Sequence, residues 1–417
     1  MATPEGSHFL QGKRIIVAGA GMAGLSFAIA LHKLWEASPT PPEVRVYDRD
    51  SKRIGADREG YSLSLNGLDA DGGLVACRDL GLLDDMLAHA VVGSDSSASF
   101  RIWDAAWGEL MRLSFKPGAG LPTTAIRITR AHIRHTLIAK LEQTTSVGWN
   151  TACTSAERLP DGRIRVTVSP ADGESRTEDC DILVAADGAH SKIRASLRPD
   201  DVLAYAGAVQ MGGVGRFPDG IPPPVARNWG MVVSGQGVGC FFSPVDKTGV
   251  VWGLSRLEPE RMGRYDRTSA KEFDALKAEA LSLGHMIGGP FPSIVAHTEQ
   301  DSSFIFPARD KQPFAHEGPA FGNVIFVGDS NHAVSPFAGN GANLALKDGW
   351  DLASQLCAGA SLDEAVAAYD KLALPRAVKT LKTSRGRIGL AHCTGLRYYA
   401  FRVMLWFGSW FMWLTGR

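Results

Sequence analysis

Charge of one sign, a secretion signal, paired cysteines and internal repeats are all missing from this chain of 417 residues. Lys plus Arg and Asp plus Glu stand at 44 each, so no global field selects nucleic acid or an acidic membrane surface. Residues Met1 to Gly12 are polar and lack the apolar core of a signal peptide, which points to a cytoplasmic protein. The six cysteines, at 77, 153, 180, 240, 357 and 393, form no CxxC pair and have no histidine at ligand spacing. They are expected to be reduced thiols, with no disulfide and no metal site. No low-complexity segment interrupts the chain, which is long enough for two or three domains around a large core.

Glycine, by contrast, is plentiful at 46 residues, and three separated stretches place it in telling contexts. The first, Gly19-Ala20-Gly21-Met22-Ala23-Gly24, follows a strand-like run from Lys13 to Val17 and leads into a helix-like run from Leu25 to Leu34. There the glycines read as a tight turn, a close backbone approach to a pyrophosphate and close helix–strand packing. The helix start would meet the phosphates with unsatisfied N–H groups and the positive end of its dipole. Asp48, with Arg49 beside it, ends the next strand-like run 24 residues after Gly24. It is placed to accept hydrogen bonds from both ribose hydroxyls of an adenosine.

The second stretch, Ala186-Asp187-Gly188-Ala189-His190-Ser191, follows the buried-strand run Ile182 to Ala185. The third is Val327-Gly328-Asp329, which continues into Pro336-Phe337-Ala338-Gly339-Asn340-Gly341 and a helical run that opens with Ala342 and Asn343. Backbone N–H groups at that helix start could stabilise negative charge on a reduced flavin ring. Asn343 either bonds the ring system or caps the helix. One glycine turn alone is weak evidence. Three motifs in this order, each after its own apolar strand, mark a single FAD.

This order resembles the single-component FAD-dependent aromatic hydroxylases, a family that includes p-hydroxybenzoate and salicylate hydroxylases and the tetracycline-inactivating monooxygenases. The resemblance covers residues near 13 to 380 and is densest in the three motifs. Arg130, in Thr129-Arg130-Ala131-His132-Ile133, matches the family's arginine that reaches the cofactor from a helix start. The string Pro336 to Asp348 looks most like the tetracycline-inactivating branch, with Asn340 where the family usually has Gln. The resemblance implies that Asp187-Gly188 touches both the cofactor and the path of the nicotinamide nucleotide. It also implies that Ser191 and Arg194 cap and brace that turn and that Asp329 bonds the ribityl chain. FAD would be non-covalent, NADPH or NADH would donate electrons, and a flavin C4a-hydroperoxide would deliver one oxygen atom.

The fold expected is α/β: a discontinuous Rossmann-type FAD-binding domain, an inserted antiparallel-sheet substrate domain and C-terminal helices. The boundaries read as 10–75, 100–200 and 312–360 for the FAD domain, 76–99 and 201–311 for the substrate domain, and 361–417 for the helical segment. Val238, Cys240 and Phe242, then Val250, Trp252 and Leu254, alternate with small residues around Pro244, Asp246 and Gly249. That pattern predicts a hairpin with one covered face. Capping boxes at Ser269 to Glu272 and Ser361 to Glu364 open two further helices, and Pro375 marks a turn or a fresh start. In the last segment, Trp406, Trp410 and Trp413 share one face, and Met404, Phe407, Phe411 and Leu414 another. Its 14 uncharged residues between Arg402 and Arg417 fall short of the ~20 that span a bilayer. Packing on the protein's own body, self-association or an interfacial membrane contact remain for it.

His332, close to Asp329, and Arg58 are the candidate catalytic residues, with Tyr61 and His297 as looser pocket candidates. A histidine in a turn beside a cofactor also commonly fixes loop geometry. The function expected is an NAD(P)H- and O2-using monooxygenase that hydroxylates or epoxidises an aromatic or polycyclic apolar small molecule. Its rivals are a flavin-dependent reductase of prenyl or alkene substrates and a non-enzymatic prenyl-chaperone. A halogenase is disfavoured because the string Trp-x-Trp-x-Ile-Pro is absent.

Overall fold

The computed structural model describes residues 8–36, 40–53, 61–94, 99–113, 115–118, 120–317 and 322–415, with backbone alone from 411 onward. Arg58 and the side chains of Phe411, Trp413 and Leu414 lie outside the described residues. The chain is α/β. A five-stranded parallel sheet orders its strands Val324–Phe326, Ile182–Ala185, Arg14–Ala18, Glu43–Tyr47 and Val147–Gly148. Ile15, Ile16 and Val17 are buried on both faces of this sheet, as a parallel sheet covered by helices requires. The Met22–Leu34 helix crosses over from the first strand to the second. Against it packs the Gly341–Ala358 helix, whose Gly349 permits the approach: a side chain there would meet the Ala23 carbonyl at 2.5 Å.

A seven-stranded sheet forms the second body, in the order Phe304–Asp310, Ala204–Arg216, Gly249–Leu257, Val238–Pro244, Trp229–Val233, Phe100–Trp103 and Glu109–Leu113. One pairing in it is parallel, Trp229–Val233 with Phe100–Trp103. One face carries Cys240, Phe242, Trp252 and Leu254 against the helices Ala270–Leu283 and Phe291–Ala296. The hairpin expected to have one covered face has both covered. On the other side Ser255 meets His392 at 2.9 Å, and Ala208 and Ala308 pack on Ile388.

The chain changes bodies earlier than the composition suggests. Residues 76–99 read as substrate domain in the sequence, yet Cys77, Leu80, Leu82 and Met86 belong to the core of the parallel sheet. Conversely Phe100–Trp103 and Glu109–Leu113, expected in the FAD domain, are the last two strands at one end of the seven-stranded sheet. Pairing partners more than a hundred residues away decide this, and no local pattern reports them. Strands Thr151–Arg158, Ile164–Pro170 and Arg176–Cys180 form a separate antiparallel sheet, and Ser62–Asn66 pairs with Ala125–Thr129 as a ribbon.

Pro375 neither turns nor restarts the chain. It lies inside the helix Leu362–Ala391. An interior proline costs about 3 kcal/mol; here it is offset by the burial of Tyr369, Ala373 and Ala377 and by Arg376, which bonds Asp348 and Asp351 at 2.8 Å each. The final helix, Gly395–Thr415, buries Tyr398, Phe401 and Leu405 against the sheet edge around Val233 and Met111. Its other faces leave Leu396, Tyr399, Met404, Trp406, Phe407 and Trp410 exposed. No described helix is long and apolar enough to cross a membrane.

Candidate active site

The three glycine motifs meet at the C-terminal ends of three neighbouring parallel strands. Gly19, at φ 109°, donates to the Tyr47 carbonyl at 2.7 Å, and a side chain there would lie 2.4 Å from the Ala186 carbonyl oxygen. Gly24 is tighter still: its added carbon would sit 2.0 Å from the Gly19 carbonyl oxygen. These two glycines are demanded by the chain itself. At Gly21 and Gly188, by contrast, an added carbon meets no protein atom within 4 Å, and at Gly341 only Val334, at 3.8 Å. Open space in front of backbone is what a ligand that approaches the main chain needs.

The helix starts agree. Thr129, Ser191, Ser269 and Ser361 each cap their helices with a side-chain oxygen. The helices that begin after Gly21 and Asn340 have no such cap, so their first N–H groups remain available to an anion. Asp48 accepts from Ala20 N at 2.6 Å and Asp50 N at 2.8 Å, which braces the first turn and leaves lone pairs free for hydroxyl donors. Burial holds its carboxyl above the usual range, partly offset by those two bonds. Arg49 beside it is exposed and only loosely paired with Asp50, at 3.9 Å.

Asp187 accepts from Lys192 N and Ile193 N through Oδ2, while its buried Oδ1 has no partner. Arg194 ties this motif to the third by donating to the Ala189 carbonyl at 2.6 Å and the Ser330 carbonyl at 2.7 Å. Gly328 sits at φ 61°. Asp329 combines two properties that rarely coincide. It lies deep among protein atoms, where desolvation raises its pKa against the pull of His332, Arg130 and Arg194, yet its surface is exposed. A side chain with both properties lines an interior cleft. An orphaned carboxylate oxygen, two open glycine faces, two uncapped helix starts and this aspartate all fit a dinucleotide laid across the strand ends. Pro336 and Gly339 stand exposed at the far end of the cleft, and Arg387 pins their turn through the carbonyls of Phe337 and Ala338.

Three expectations change. His332 is 1% exposed and sits 2.7 Å from the fully buried Asp348, close enough for an ion pair although the ring is not aligned for a directed hydrogen bond. Asp348 in turn takes Arg376, so the histidine fixes the packing of two helices and has no route to a substrate proton. Burial lowers the imidazole pKa, but the Asp348 carboxylate outweighs it and the net shift is upward. Asn343 neither caps its helix nor faces the ring site. Its Oδ1 accepts from Asn66 N and Gly73 N, and its Nδ2 donates to the Ser64 carbonyl. Ala23 and Ala342 pack into the core and act by being small. Of the looser candidates, His297 lies on the helical cover of the opposite sheet face, bonded to the Ser293 carbonyl, and Tyr61 is exposed.

What sequence reading missed is the second wall. In the ribbon, Leu63, Leu65, Ile126 and Ile128 enter the core, so Ser62, Ser64, Asn66 and Arg127 share the opposite face. Asn66 donates to Asn340 Oδ1 at 2.9 Å, which joins this face to the third motif. Ser62 donates to the Pro244 carbonyl at 2.8 Å, which joins it to the seven-stranded sheet. On that sheet, Gln210, Phe241, Phe304 and Phe306 point away from the helical cover, the last two stacked at 5.2 Å. The signal was present in the alternation Ser62-Leu63-Ser64-Leu65-Asn66 and in a lone cation between Ile126 and Ile128.

Fold and cleft together define an FAD-binding flavoprotein. Residues 298–384 match the family described as FAD binding domain. Along 393 residues the chain is 45% identical to the monooxygenase cfoF of Aspergillus candidus, covering 93% of this chain and 94% of that protein. It is 25% identical to the chloroplastic zeaxanthin epoxidase of Nicotiana plumbaginifolia over 91% of its own length, and spans about half (53%) of that protein. The HpxO protein of Klebsiella pneumoniae, solved with FAD and uric acid, shares the fold at a TM-score of 0.73, with 20% identity over 95% of this chain and 94% of that one. The chain belongs to the FAD-dependent monooxygenases.

Proposed function

We propose that this enzyme inserts one oxygen atom into an aromatic or polycyclic, largely apolar small molecule, as a hydroxylation or an epoxidation. The reading rests on the open glycine faces at the strand ends and on the ribbon that joins the third motif, through Asn66 and Asn340, to the aromatic sheet, through Ser62 and Pro244. When bound, FAD takes up the electrons of NADPH or NADH and activates dioxygen. Everything else falls to this chain's residues. Gly21, the uncapped helix start after it and Asp48 hold the adenosine and pyrophosphate end, while Asp187, Arg130 and Asp329 line the middle. The helix start after Asn340 presents N–H groups to charge on the ring. Phe241, Phe304 and Phe306 exclude water and give a flat substrate a surface to lie on. A relative named as a zeaxanthin epoxidase and a structural neighbour solved with uric acid support a small-molecule substrate for an epoxidation or a hydroxylation.

The exposed Trp406 and Trp410 face of the last helix, flanked by Arg397 and Arg402, suits an interfacial membrane contact or self-association of a cytoplasmic protein. Flotation with anionic vesicles and sedimentation velocity separate the two.

The deciding experiment screens aromatic metabolites for stimulated NAD(P)H oxidation and then supplies labelled oxygen gas. One labelled atom in the product, the other in water, is expected. Label from water, or product formed anaerobically with NAD(P)H, sinks the reading; the anaerobic result points to a reductase.

A further inference from the structure

Among the described residues, Arg127 is a buried group at the wall of the cleft that neither the fold nor the expected chemistry accounts for. It is 4% exposed, and among the described residues no carboxylate pairs with it. Its Nε donates to Ser243 Oγ, its Nη1 to Ser64 Oγ and its Nη2 to Ser62 Oγ, each at 2.8 Å, with the Ser62 carbonyl as a fourth acceptor. The Phe241 ring lies 5.5 Å from the guanidinium carbon. Neutral hydroxyls satisfy hydrogen bonds but leave the charge itself uncompensated, and desolvation pushes the pKa down to about 9.

A buried cation without a counter-ion is costly unless a partner arrives. A guanidinium has five N–H groups, and the described residues engage four of them, which leaves one Nη1–H. Ser62 and Ser243 have the Pro244 carbonyl as an acceptor for their hydroxyls; among the described residues no acceptor takes the Ser64 hydroxyl. Ser64 is half-buried rather than enclosed. The two remaining donors are therefore adjacent, on neighbouring atoms 2.8 Å apart. Asn66, two residues along the same face, bonds Asn340 at the start of the ring-facing helix. Same-face residues in a strand are roughly 7 Å apart, so the donor pair lies about that far from the Asn66–Asn340 link to this helix start.

We propose that Arg127 and Ser64 form an oxyanion subsite, and that the substrate is an aromatic acid or phenolate whose charged oxygen docks there while its ring lies against Phe241. This rests on the monooxygenase reading and specifies the substrate class within it. It also makes Arg127 a specificity-determining residue, since an uncharged analogue leaves the guanidinium unpaired.

The test uses the FAD-loaded full chain and follows flavin absorbance while 2-naphthoate or its neutral counterpart 2-naphthamide is titrated, with no electron donor. The wild type should bind the acid about tenfold or more tightly than the amide, the range for one hydrogen bond to a charged group. Arg127→Met should abolish that preference at unchanged FAD content, and Ser64→Ala should reduce it. If Arg127→Met fails to fold, Ser64→Ala, which strands no charge, decides alone. Equal binding of the two probes, or no binding of either, overturns the proposal. So does an Arg127→Met protein that keeps the preference while its flavin reduction potential shifts, because the arginine would then serve the cofactor. The titration involves no turnover. An intact preference with no oxygen incorporation therefore supports the subsite and sinks only the monooxygenase reading.

Discussion

Gly21 and Gly24 belong to one motif, yet the structure assigns them different work, and two alanine substitutions separate it. An alanine at Gly24 would place its Cβ 2.0 Å from the Gly19 carbonyl oxygen, 3.1 Å from Val17 and 3.2 Å from Ala186. Real Cβ atoms do not approach backbone oxygen so closely, so the first strand and its helix must move apart. Overpacking of this kind costs about 1–3 kcal/mol, or a fall in Tm of roughly 3–9 °C at about 3 °C per kcal/mol for a large domain. Gly21→Ala meets no atom within 4 Å and sits at φ −79°, which alanine adopts without strain. Its apoprotein should melt with the wild type to within about 1 °C, since a strain-free surface change moves stability by under about 0.5 kcal/mol. Its deficit should appear only with FAD: a hundredfold loss of affinity removes about 2.7 kcal/mol of ligand-induced stabilisation. Thermal melts of stripped and FAD-loaded protein, with fluorescence titration of FAD, read both quantities. Equal apoprotein losses for the two variants, or wild-type FAD affinity in Gly21→Ala, would refute the assignment.

Four further outcomes are expected. Asp48→Ala should weaken FAD binding by about 1–3 kcal/mol and also loosen the apoprotein turn, because Ala20 N and Asp50 N lose their acceptor; a melt of the stripped protein detects the second effect. Gly341→Val should leave the apoprotein folded, with only Val334 nearby at 3.8 Å, but divert NAD(P)H consumption toward hydrogen peroxide, measured as the peroxide-to-product ratio. The His332 pKa is raised on folding, so its contribution to stability is complete below about 6.5 and is lost as pH rises through the folded value. Urea midpoints between pH 6 and 9 should therefore fall more steeply in wild type than in His332→Gln, and parallel slopes would exclude the ion pair. Trp406→Ser with Trp410→Ser should abolish vesicle flotation or self-association without changing turnover, since both side chains are exposed; unchanged flotation and unchanged sedimentation would remove the helix face from consideration.

The legible part of the site was the part built from consecutive residues. Gly19 and Gly24 announce a tight strand-to-helix turn because that turn closes within six residues, and the serine caps at 269 and 361 act over three. His332 illustrates the opposite. Next to a nucleotide-binding aspartate it invites an acid–base role, and only Asp348, from a helix that starts nine residues later, shows that it faces the core. Asn343 misleads in the same way, because a helix-start asparagine reads as a cap until its partners 270 and 277 residues away are known.

By itself the sequence determined the α/β class, the three strand-end motifs and the cofactor, because a backbone that must approach a pyrophosphate imposes glycine and an open helix start locally. Tertiary structure decided where one body ends and the next begins, which polar residues face the cleft and which are enclosed. Phe100–Trp103 joins the second sheet only through Trp229–Val233, and Arg127 gains its meaning from Ser243, 116 residues away. The reason is physical. Burial of a charge and the pairing of a strand edge depend on which distant surfaces meet, and hydrophobic periodicity records only that a face is covered, not by what.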